Sequence, residues 1–408
     1  MRSKNKIFLF VVSLLILRPF LQAAGDYVSI GTLSPDSVFL GIALVSILIY
    51  NITHFRKGNK LGKEFNFIKF AMILYVGTTT ISLFQSSQFF SSFTFYLQEL
   101  LSLLVFISII KFYKHDDAIQ TIKYFIVSIL FYALDIVLDV LITGGKREEL
   151  GESYFRSDGY LTNLGAWVFG VLFLYAIYVC FFSIEISKRD SSKMKYFLIV
   201  TFFILLLFSG SRSSILSLFA FLAILFLFSA RNLKNVIRIS ALVIVILITG
   251  AFLFSSLDPD GFARLSQSFS PDYYAPGNGV NSTALYRIIL MREYLFNWSL
   301  PIFGFGQRSY AFVFDYTDPG SQYVLTMITL GIVGLVLFFL LNFSLFAYFY
   351  RYRTQRIAKV ILAVMISLII VNGGESALVE IRGYYYWVMM GIFIVIISNF
   401  RQIDSFVK

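Results

Sequence analysis

Apolar runs alternate with short polar connectors along most of the chain. A membrane span needs roughly 20 apolar residues, and twelve runs approach or reach that length. The predicted spans are Ile7–Ala24, Val38–His54, Phe65–Phe84, Thr94–Ile110, Tyr124–Ile142, Leu161–Ser183, Tyr196–Ser209, Ser213–Ser229, Ile239–Ser256, Gln322–Phe343, Val360–Val371 and Tyr384–Asn399. The seventh and the eleventh are short. The pattern predicts an all-α, polytopic integral membrane protein with about twelve transmembrane helices.

One long polar stretch, Leu257–Gly320, interrupts this pattern. It holds five of the seven prolines and four arginines, and it contains no Lys and no His. A loop of this length is usually functional or disordered, and its many aromatic residues argue against disorder. We therefore expect one membrane domain in three parts: spans one to nine in residues 1–256, a large outer loop with short helices in residues 257–320, and spans ten to twelve in residues 321–408.

Composition supports the assignment to a membrane. Of the 408 residues, 58% are hydrophobic and 14% charged, and the mean hydropathy is +0.78, whereas soluble domains carry about 25% charged residues. The 47 Phe residues suit a surface that faces lipid. The single cysteine, Cys180, excludes an internal disulfide.

The net charge of +11 follows the membrane topology. Alternate connectors, starting with the N-terminal one, carry 23 of the 34 Lys and Arg residues, and such connectors face the cytoplasm. This predicts cytoplasmic termini and an outer location for Leu257–Gly320, and it argues against nucleic-acid binding. The first segment also resembles a signal peptide, with a cleavage-like Leu21–Ala24. We expect it to remain as an uncleaved span, and the downstream topology is the same in either case.

The basic residues on the outer side are almost all arginine, the residue suited to bidentate binding of phosphate or carboxylate. Arg212 lies in the turn Ser209–Ser214, where Ser211 or Ser213 caps the following helix. A capped helix N-terminus beside an arginine is a ready anion site. The alternative is a hairpin between two spans with an arginine that reaches the interface.

Two further arginines lie within the large loop, on a helix predicted from Ala284 to Trp298. Arg287 and Arg292 are about 140° apart around this helix, so one anion would not easily meet both. Arg292 lies on an apolar face, which makes Arg287 the stronger ligand candidate. The alternative is an interfacial helix with structural ion pairs.

Carboxylates offer fewer indications of chemistry. Asp258 and Asp260 have the Asp-x-Asp form of metal-dependent glycosyltransferases, but the flanking Pro and Gly indicate a turn. Asp135 and Asp139 share one face of the fifth span, where an acid is either functional or paired with an outer arginine. His54 and His115 both fall on the predicted inner side, so no outer histidine chemistry is expected.

Four stretches carry a resemblance to a known family. They are Ser209–Arg212 at the head of a span, Tyr154–Asn163 before the sixth span, Tyr286–Trp298 followed by the Pro-x-x-Gly-x-Gly turn Pro301–Gly306, and Gln322–Leu335 with Gly331 and Gly334. In these features the chain resembles the bacterial O-antigen polymerase and O-antigen ligase superfamily, closest to Wzy-type polysaccharide repeat-unit polymerases.

The resemblance implies a GT-C-like membrane glycosyltransferase of lipopolysaccharide biosynthesis in the bacterial inner membrane, with its active face in the periplasm. It would transfer a growing glycan from undecaprenyl pyrophosphate to a new lipid-linked repeat, without a metal or other cofactor. The pyrophosphate ligands would be Arg212, Arg287, Arg308, Arg156 and Arg292, and the acceptor base would be Asp315, Asp318 or Glu375. Chain-length regulator and flippase proteins would be partners.

Two alternatives remain at the level of sequence. A ligase would transfer the glycan to lipid A core or to a protein, but ligases carry a His at the end of the large loop, where this chain reads Asp318–Gln322. A flippase or proton-coupled transporter would use Asp135 and Asp139. Transporters favour paired halves with broken helices, and no such repeat is visible.

Overall fold

The structure is a computed structural model that describes residues 6–27, 35–54, 65–128, 212–229, 252, 255–256, 302–306, 321–374 and 380–407. Within these ranges the chain forms helices and turns, without a strand. The helices are α1 (Lys6–Tyr27), α2 (Pro35–Thr53), α3 (Asn66–Gln85), α4 (Phe89–Phe112), α5 (115–128), α6 (Arg212–Ser229), α7 (Gln322–Arg351), α8 (Arg356–Gly374) and α9 (Glu380–Val407). The described part is thus all-α, as predicted.

Three of the described helical segments are long and apolar enough to cross a membrane: Asn66–Gln85, Ser92–Phe112 and Gln322–Arg351. Large apolar side chains point outward from them, such as Ile73 and Phe84. An apolar exterior of this kind suits contact with lipid rather than with water. These features confirm a membrane protein, and the total of twelve spans stays a prediction.

The described helices follow the predicted spans with small shifts at their ends. The largest differences are at the C-terminal ends of α7 and α9, each of which ends eight residues after the predicted span. Helix α4 begins at Phe89, five residues before the predicted Thr94, and α8 extends the short eleventh span to 19 residues. The extension of α8 adds mainly polar and small residues, which hydropathy alone discounts, whereas that of α4, residues 89–93, contains three phenylalanines. The sixth and seventh predicted spans lie outside the described residues, as do most of the fifth and the ninth.

The chain divides into two compact units. The first comprises Met1–Leu130, Met291–Arg353 and Ser376–Lys408, and the second comprises Phe131–Leu290 and Thr354–Glu375. In the second unit α6 packs against α8, and Lys359 Nζ donates a hydrogen bond of 3.2 Å to the carbonyl of Phe228 near the end of α6.

Helix α4 is the centre of the first unit and packs against α1, α2, α3 and α9. Its contact with α9 is close: the rings of Phe106 and Trp387 lie 5.4 Å apart, and Gly391 leaves room for Ile109. Helix α3 packs in turn against α7. This arrangement brings α3, α4 and α7 together around the features described next.

Helix α7 is broken at Gly331, whose φ of 71° and ψ of −172° are not helical. The rings of Tyr323 and Phe339 stack with centroids 5.2 Å apart, although a straight helix would separate these residues by about 24 Å along its axis. The halves 322–330 and 332–351 therefore fold back on one another. The sequence predicted one continuous span here, and only the second half, about 30 Å long, can cross a bilayer.

Candidate functional site

Only one of the eight predicted site residues lies in the described part of the chain. Arg212 is the first residue of α6, so the structure places it at the head of a helix, as the sequence predicted. The other seven lie outside the described residues: Arg156, Arg287, Arg292, Arg308, Asp315, Asp318 and Glu375. Their roles stay predictions, and the described part of the candidate site consists of the glycine turn 302–306 and its surroundings.

The turn Ile302–Gly306 completes the hydrogen bonding of the broken helix α7. In a continuous helix, the carbonyls of Ile328 and Thr329 would accept hydrogen bonds from residues four positions later. Here Phe305 N–H donates to Ile328 O at 2.9 Å and Gly306 N–H donates to Thr329 O at 3.0 Å. On the other side of the break, Val333 N–H donates to Ile302 O at 3.4 Å. The turn thus replaces the missing turn of α7, as irregular backbone within a membrane protein requires.

Two glycines make this close approach of backbones possible. Gly304 has a φ of 76°, and a Cβ there would lie 2.4 Å from the carbonyl carbon and oxygen of Thr329. A Cβ on Gly331 would lie 2.0 Å from Ile302 O. Both positions combine a left-handed φ with a steric conflict against backbone, so only glycine fits them. The Pro-x-x-Gly-x-Gly motif therefore has a structural reason.

Helix α3 holds the same junction from its other side. The buried Ser82 Oγ donates a hydrogen bond to Thr329 O, the carbonyl that Gly306 also binds. A Cβ on Gly306 would meet Ser86 at 2.4 Å, so this glycine lies directly against the end of α3. The hydroxyls of Ser86 and Ser92 share a hydrogen bond of 2.6 Å that joins α3 to α4. We call this meeting point of the turn, α3 and α7 the glycine junction.

Buried polar side chains surround the glycine junction. They are Tyr75, Thr78, Thr79 and Ser82 on α3, and Ser321, Gln322, Thr326 and Thr329 at the first half of α7. Three of the hydroxyls, those of Thr78, Thr79 and Thr329, donate to carbonyls of their own helices, as Thr329 Oγ1 does to Leu325 O at 2.7 Å. Buried hydroxyls are thereby satisfied within apolar surroundings. The result is a hydroxyl-rich interior next to the glycine turn.

A carboxylate on α4, Glu99, is bonded to this polar region and was not among the site residues predicted from the sequence. Tyr75 donates a hydrogen bond of 2.6 Å to Glu99 Oε1. A signal was present in the sequence, since Glu99 falls in the middle of the fourth predicted span, where ionisable residues are functional by default. A second signal was the helical spacing of Tyr75, Thr78, Thr79 and Ser82, which lie on one side of α3.

The fold and the glycine junction define a helical membrane protein in which a glycine turn completes a broken membrane helix. Residues 197–339, about a third of the chain, match the O-Antigen ligase family model. No curated protein sequence matches the chain significantly. The predicted resemblance to the O-antigen polymerase and ligase superfamily is confirmed over these residues.

The matched segment contains two of the three elements that meet at the glycine junction, the turn and the broken start of α7. The match contains Ser209–Arg212, the turn Pro301–Gly306 and the broken start of α7 as far as Phe339. Of the four stretches that carried the resemblance, only Tyr154–Asn163 lies before it. The part of the chain that defines the family is therefore also the part that builds the break in α7 and the turn that fills it.

Proposed function

We propose that the protein polymerises undecaprenyl-pyrophosphate-linked oligosaccharide repeat units into O-antigen or a related surface polysaccharide. The observation that carries the proposal is the glycine junction, where the turn Ile302–Gly306 of the matched segment lies against α3 and α7. Arg308, one of the predicted pyrophosphate ligands, follows by two residues in the sequence the Gly306 that donates a backbone hydrogen bond to Thr329 O. The donor is the lipid-linked growing chain and the acceptor is a new lipid-linked repeat.

The reaction needs positively charged protein groups beside its leaving group, which is the lipid pyrophosphate. A hydroxyl oxygen of the acceptor sugar attacks the anomeric carbon of the donor, and the bond from that carbon to the pyrophosphate oxygen breaks. Fixed guanidinium groups stabilise the charge that develops on the pyrophosphate. We assign this role to Arg212 and Arg287, then Arg308, Arg156 and Arg292. A carboxylate takes the proton of the acceptor hydroxyl, for which Asp315, Asp318 and Glu375 are the candidates.

A feature of the sequence favours polymerisation over ligation. Ligases of the superfamily resemble this chain but carry a histidine near the end of the large loop, where it is offered as the acceptor base. Residues 257–320 contain no histidine, and the corresponding region reads Asp318–Gln322. An acceptor that is itself a lipid-linked repeat therefore agrees better with this chain than lipid A core or a protein does.

The purified protein should extend lipid-linked repeat units without a nucleotide sugar or a divalent metal. Incubated in detergent with its undecaprenyl-pyrophosphate repeat unit and excess EDTA, it should form a ladder of longer lipid-linked glycans. One undecaprenyl pyrophosphate should be released for each bond formed. Gel separation of the glycans and chromatography of the released lipid provide the two measurements.

Other outcomes of this experiment have distinct meanings. A ligase would leave the repeat unit unchanged until lipid A core is added, and a transporter would leave it unchanged in every mixture. If the ladder were lost in EDTA and recovered in Mg²⁺ or Mn²⁺, the protein would still be a polymerase, but the metal-independent mechanism based on arginines would be wrong. Asp258 and Asp260 would then be the first residues to replace.

The proposed orientation can be tested by cysteine labelling. In a Cys180→Ser background, Ser268→Cys should react with an impermeant thiol reagent in cells with a permeabilised outer membrane, whereas Ser191→Cys should not. The reason is the concentration of Lys and Arg on the connectors assigned to the cytoplasm. Lysed cells should label Ser191→Cys and so provide the control. If only Ser191→Cys were labelled in unlysed cells, the protein would have the opposite orientation to the one proposed.

A further inference from the structure

Ser82 on α3 forms a hydrogen bond unlike those of the threonines that precede it on the same helix. Thr78, Thr79 and Thr80 each donate to a carbonyl of α3 itself, over 2.8–3.1 Å. A hydroxyl on a helix is commonly satisfied in this way. Ser82 is fully buried, and it donates instead to Thr329 O on α7. Its hydroxyl therefore joins two helices.

The carbonyl of Thr329 is satisfied without this bond. Gly306 N–H already donates to it at 3.0 Å and takes the place of the helical donor that the break in α7 removes. A carbonyl oxygen has two lone pairs, so Thr329 O can accept from both donors. The Ser82 bond is thus an additional one, and its loss would leave the carbonyl paired. The need to satisfy Thr329 O therefore does not explain it.

The backbone of Ser82 lies against the turn Ile302–Gly306. A Cβ on Gly306 would lie 3.0 Å from Ser82 O and 2.4 Å from Ser86 Cβ, so this glycine packs directly on the last turn of α3. Ser82 thus meets the turn through its carbonyl and the broken start of α7 through its hydroxyl. Because one residue makes both contacts, it fixes the turn and α7 at one position along α3.

The two elements that Ser82 joins belong to the matched segment. The turn and the first half of α7 lie within residues 197–339, whereas α3 lies before them. In the sequence, residues 307–320 connect the turn to α7 and contain three of the predicted site residues: Arg308, Asp315 and Asp318. A residue that fixes the turn relative to α7 therefore fixes the two ends of this connection.

We propose that Ser82 is a positioning residue for glycan transfer, whose hydroxyl holds the turn Ile302–Gly306 in place on α7 and so aligns the matched segment for the reaction. This inference rests on the proposed function, because it takes the reaction from it. Ser82 touches no substrate in this role and acts through the geometry of the groups that do. A displacement of about 1 Å, even one caused far from the reacting atoms, can lower a rate about 100-fold.

Ser82→Ala should lower kcat while leaving the protein folded. Alanine removes the hydroxyl but keeps a small side chain, and Thr329 O keeps the Gly306 donor. With lipid-linked repeat units extracted from the source bacterium, kcat for chain extension should fall about tenfold or more, with a smaller change in KM. The melting temperature in detergent should stay close to that of the wild type. A wild-type kcat in Ser82→Ala would overturn the proposal.

Thr80→Val is the matched control. It removes a hydroxyl two residues away on the same helix, which bonds to Val76 O and to Tyr96 on α4. Since this hydroxyl does not reach α7 or the turn, Thr80→Val should leave kcat unchanged. An equal fall of kcat in Thr80→Val and Ser82→Ala would assign the effect to the packing of α3 in general and would reject a specific role of Ser82.

A second measurement does not depend on turnover. Hydrogen–deuterium exchange with mass spectrometry follows peptides that contain residues 302–306, including the amides of Phe305 and Gly306 that bond to α7. Exchange should be faster in Ser82→Ala than in the wild type or in Thr80→Val, because the turn opens more often once α3 no longer holds it. Equal exchange in all three proteins would show that Ser82 does not hold the turn, against the proposal.

The two proposals fail differently. If the wild-type protein makes no ladder from lipid-linked repeats, the polymerase is wrong, and faster exchange in Ser82→Ala would still show that Ser82 holds the turn. If the ladder forms at the same rate in Ser82→Ala as in the wild type, the polymerase stands and only the positioning role is rejected.

Discussion

Gly331→Ala should abolish chain extension and destabilise the protein. The alanine Cβ would lie 2.0 Å from Ile302 O at a φ that non-glycine residues rarely adopt. Strain of this kind costs about 1–3 kcal/mol before any steric conflict is counted. We therefore expect a loss of at least about 2 kcal/mol in the free energy of unfolding, or displacement of the turn from the break. Thermal unfolding in detergent and glycan ladders in cells measure the two effects.

Gly77→Ala provides the matched control, because a Cβ there meets nothing within 4 Å in the same helix that carries Ser82. It should keep both stability and chain length. Gly304→Ala should behave like Gly331→Ala, since its Cβ would lie 2.4 Å from Thr329. If Gly304→Ala and Gly331→Ala both supported normal ladders, the glycine junction would have no part in activity.

Arg212→Lys and Arg287→Lys should each reduce polymerisation by about 100-fold, the usual effect of removing one donor that stabilises a developing charge. Lysine keeps the positive charge but loses the planar pair of donors that matches a phosphate group. Both variants should reach the membrane in normal amounts. The measurement is the initial rate of undecaprenyl pyrophosphate release, together with immunoblots for the protein.

The control for these variants is the same substitution at an exposed arginine. Arg353 lies on the connector after α7, with its guanidinium 4.4 Å from the centre of the Tyr350 ring. Arg353→Lys should leave the rate unchanged. If Arg212→Lys and Arg287→Lys also kept near-normal rates, these arginines would act only as topology signals or in structural ion pairs.

The membrane helices could be predicted because each depends on the hydrophobicity and length of its own segment of sequence. Every described stretch of α1 to α4 overlaps a predicted span, since each span must satisfy its backbone hydrogen bonds internally and present apolar side chains to lipid. Arg212 at the head of α6 followed from the same logic, because Ser and Gly before it favour a helix start. These properties depend on neighbours in the sequence.

The break in α7 could not be predicted in this manner. Gly331 has apolar neighbours on both sides, so hydropathy describes one uninterrupted run. The break is satisfied because Phe305 and Gly306 supply hydrogen bonds from 23 residues earlier in the chain. Glu99 was missed for a similar reason: its partner Tyr75 is 24 residues away, and the hydroxyl face that joins them to the turn exists only after α3 packs against α7.

The carbonyl of Thr329 has a consequence for how the protein is made. It accepts hydrogen bonds from Ser82, 247 residues earlier, and from Gly306. Contacts so distant in sequence form late, after the intervening chain has been synthesised and inserted. Nascent α3 therefore lacks this partner for Ser82 until about four fifths of the chain has been synthesised. A chain that ends before residue 329 cannot form the junction, because it lacks the carbonyl that joins the two donors.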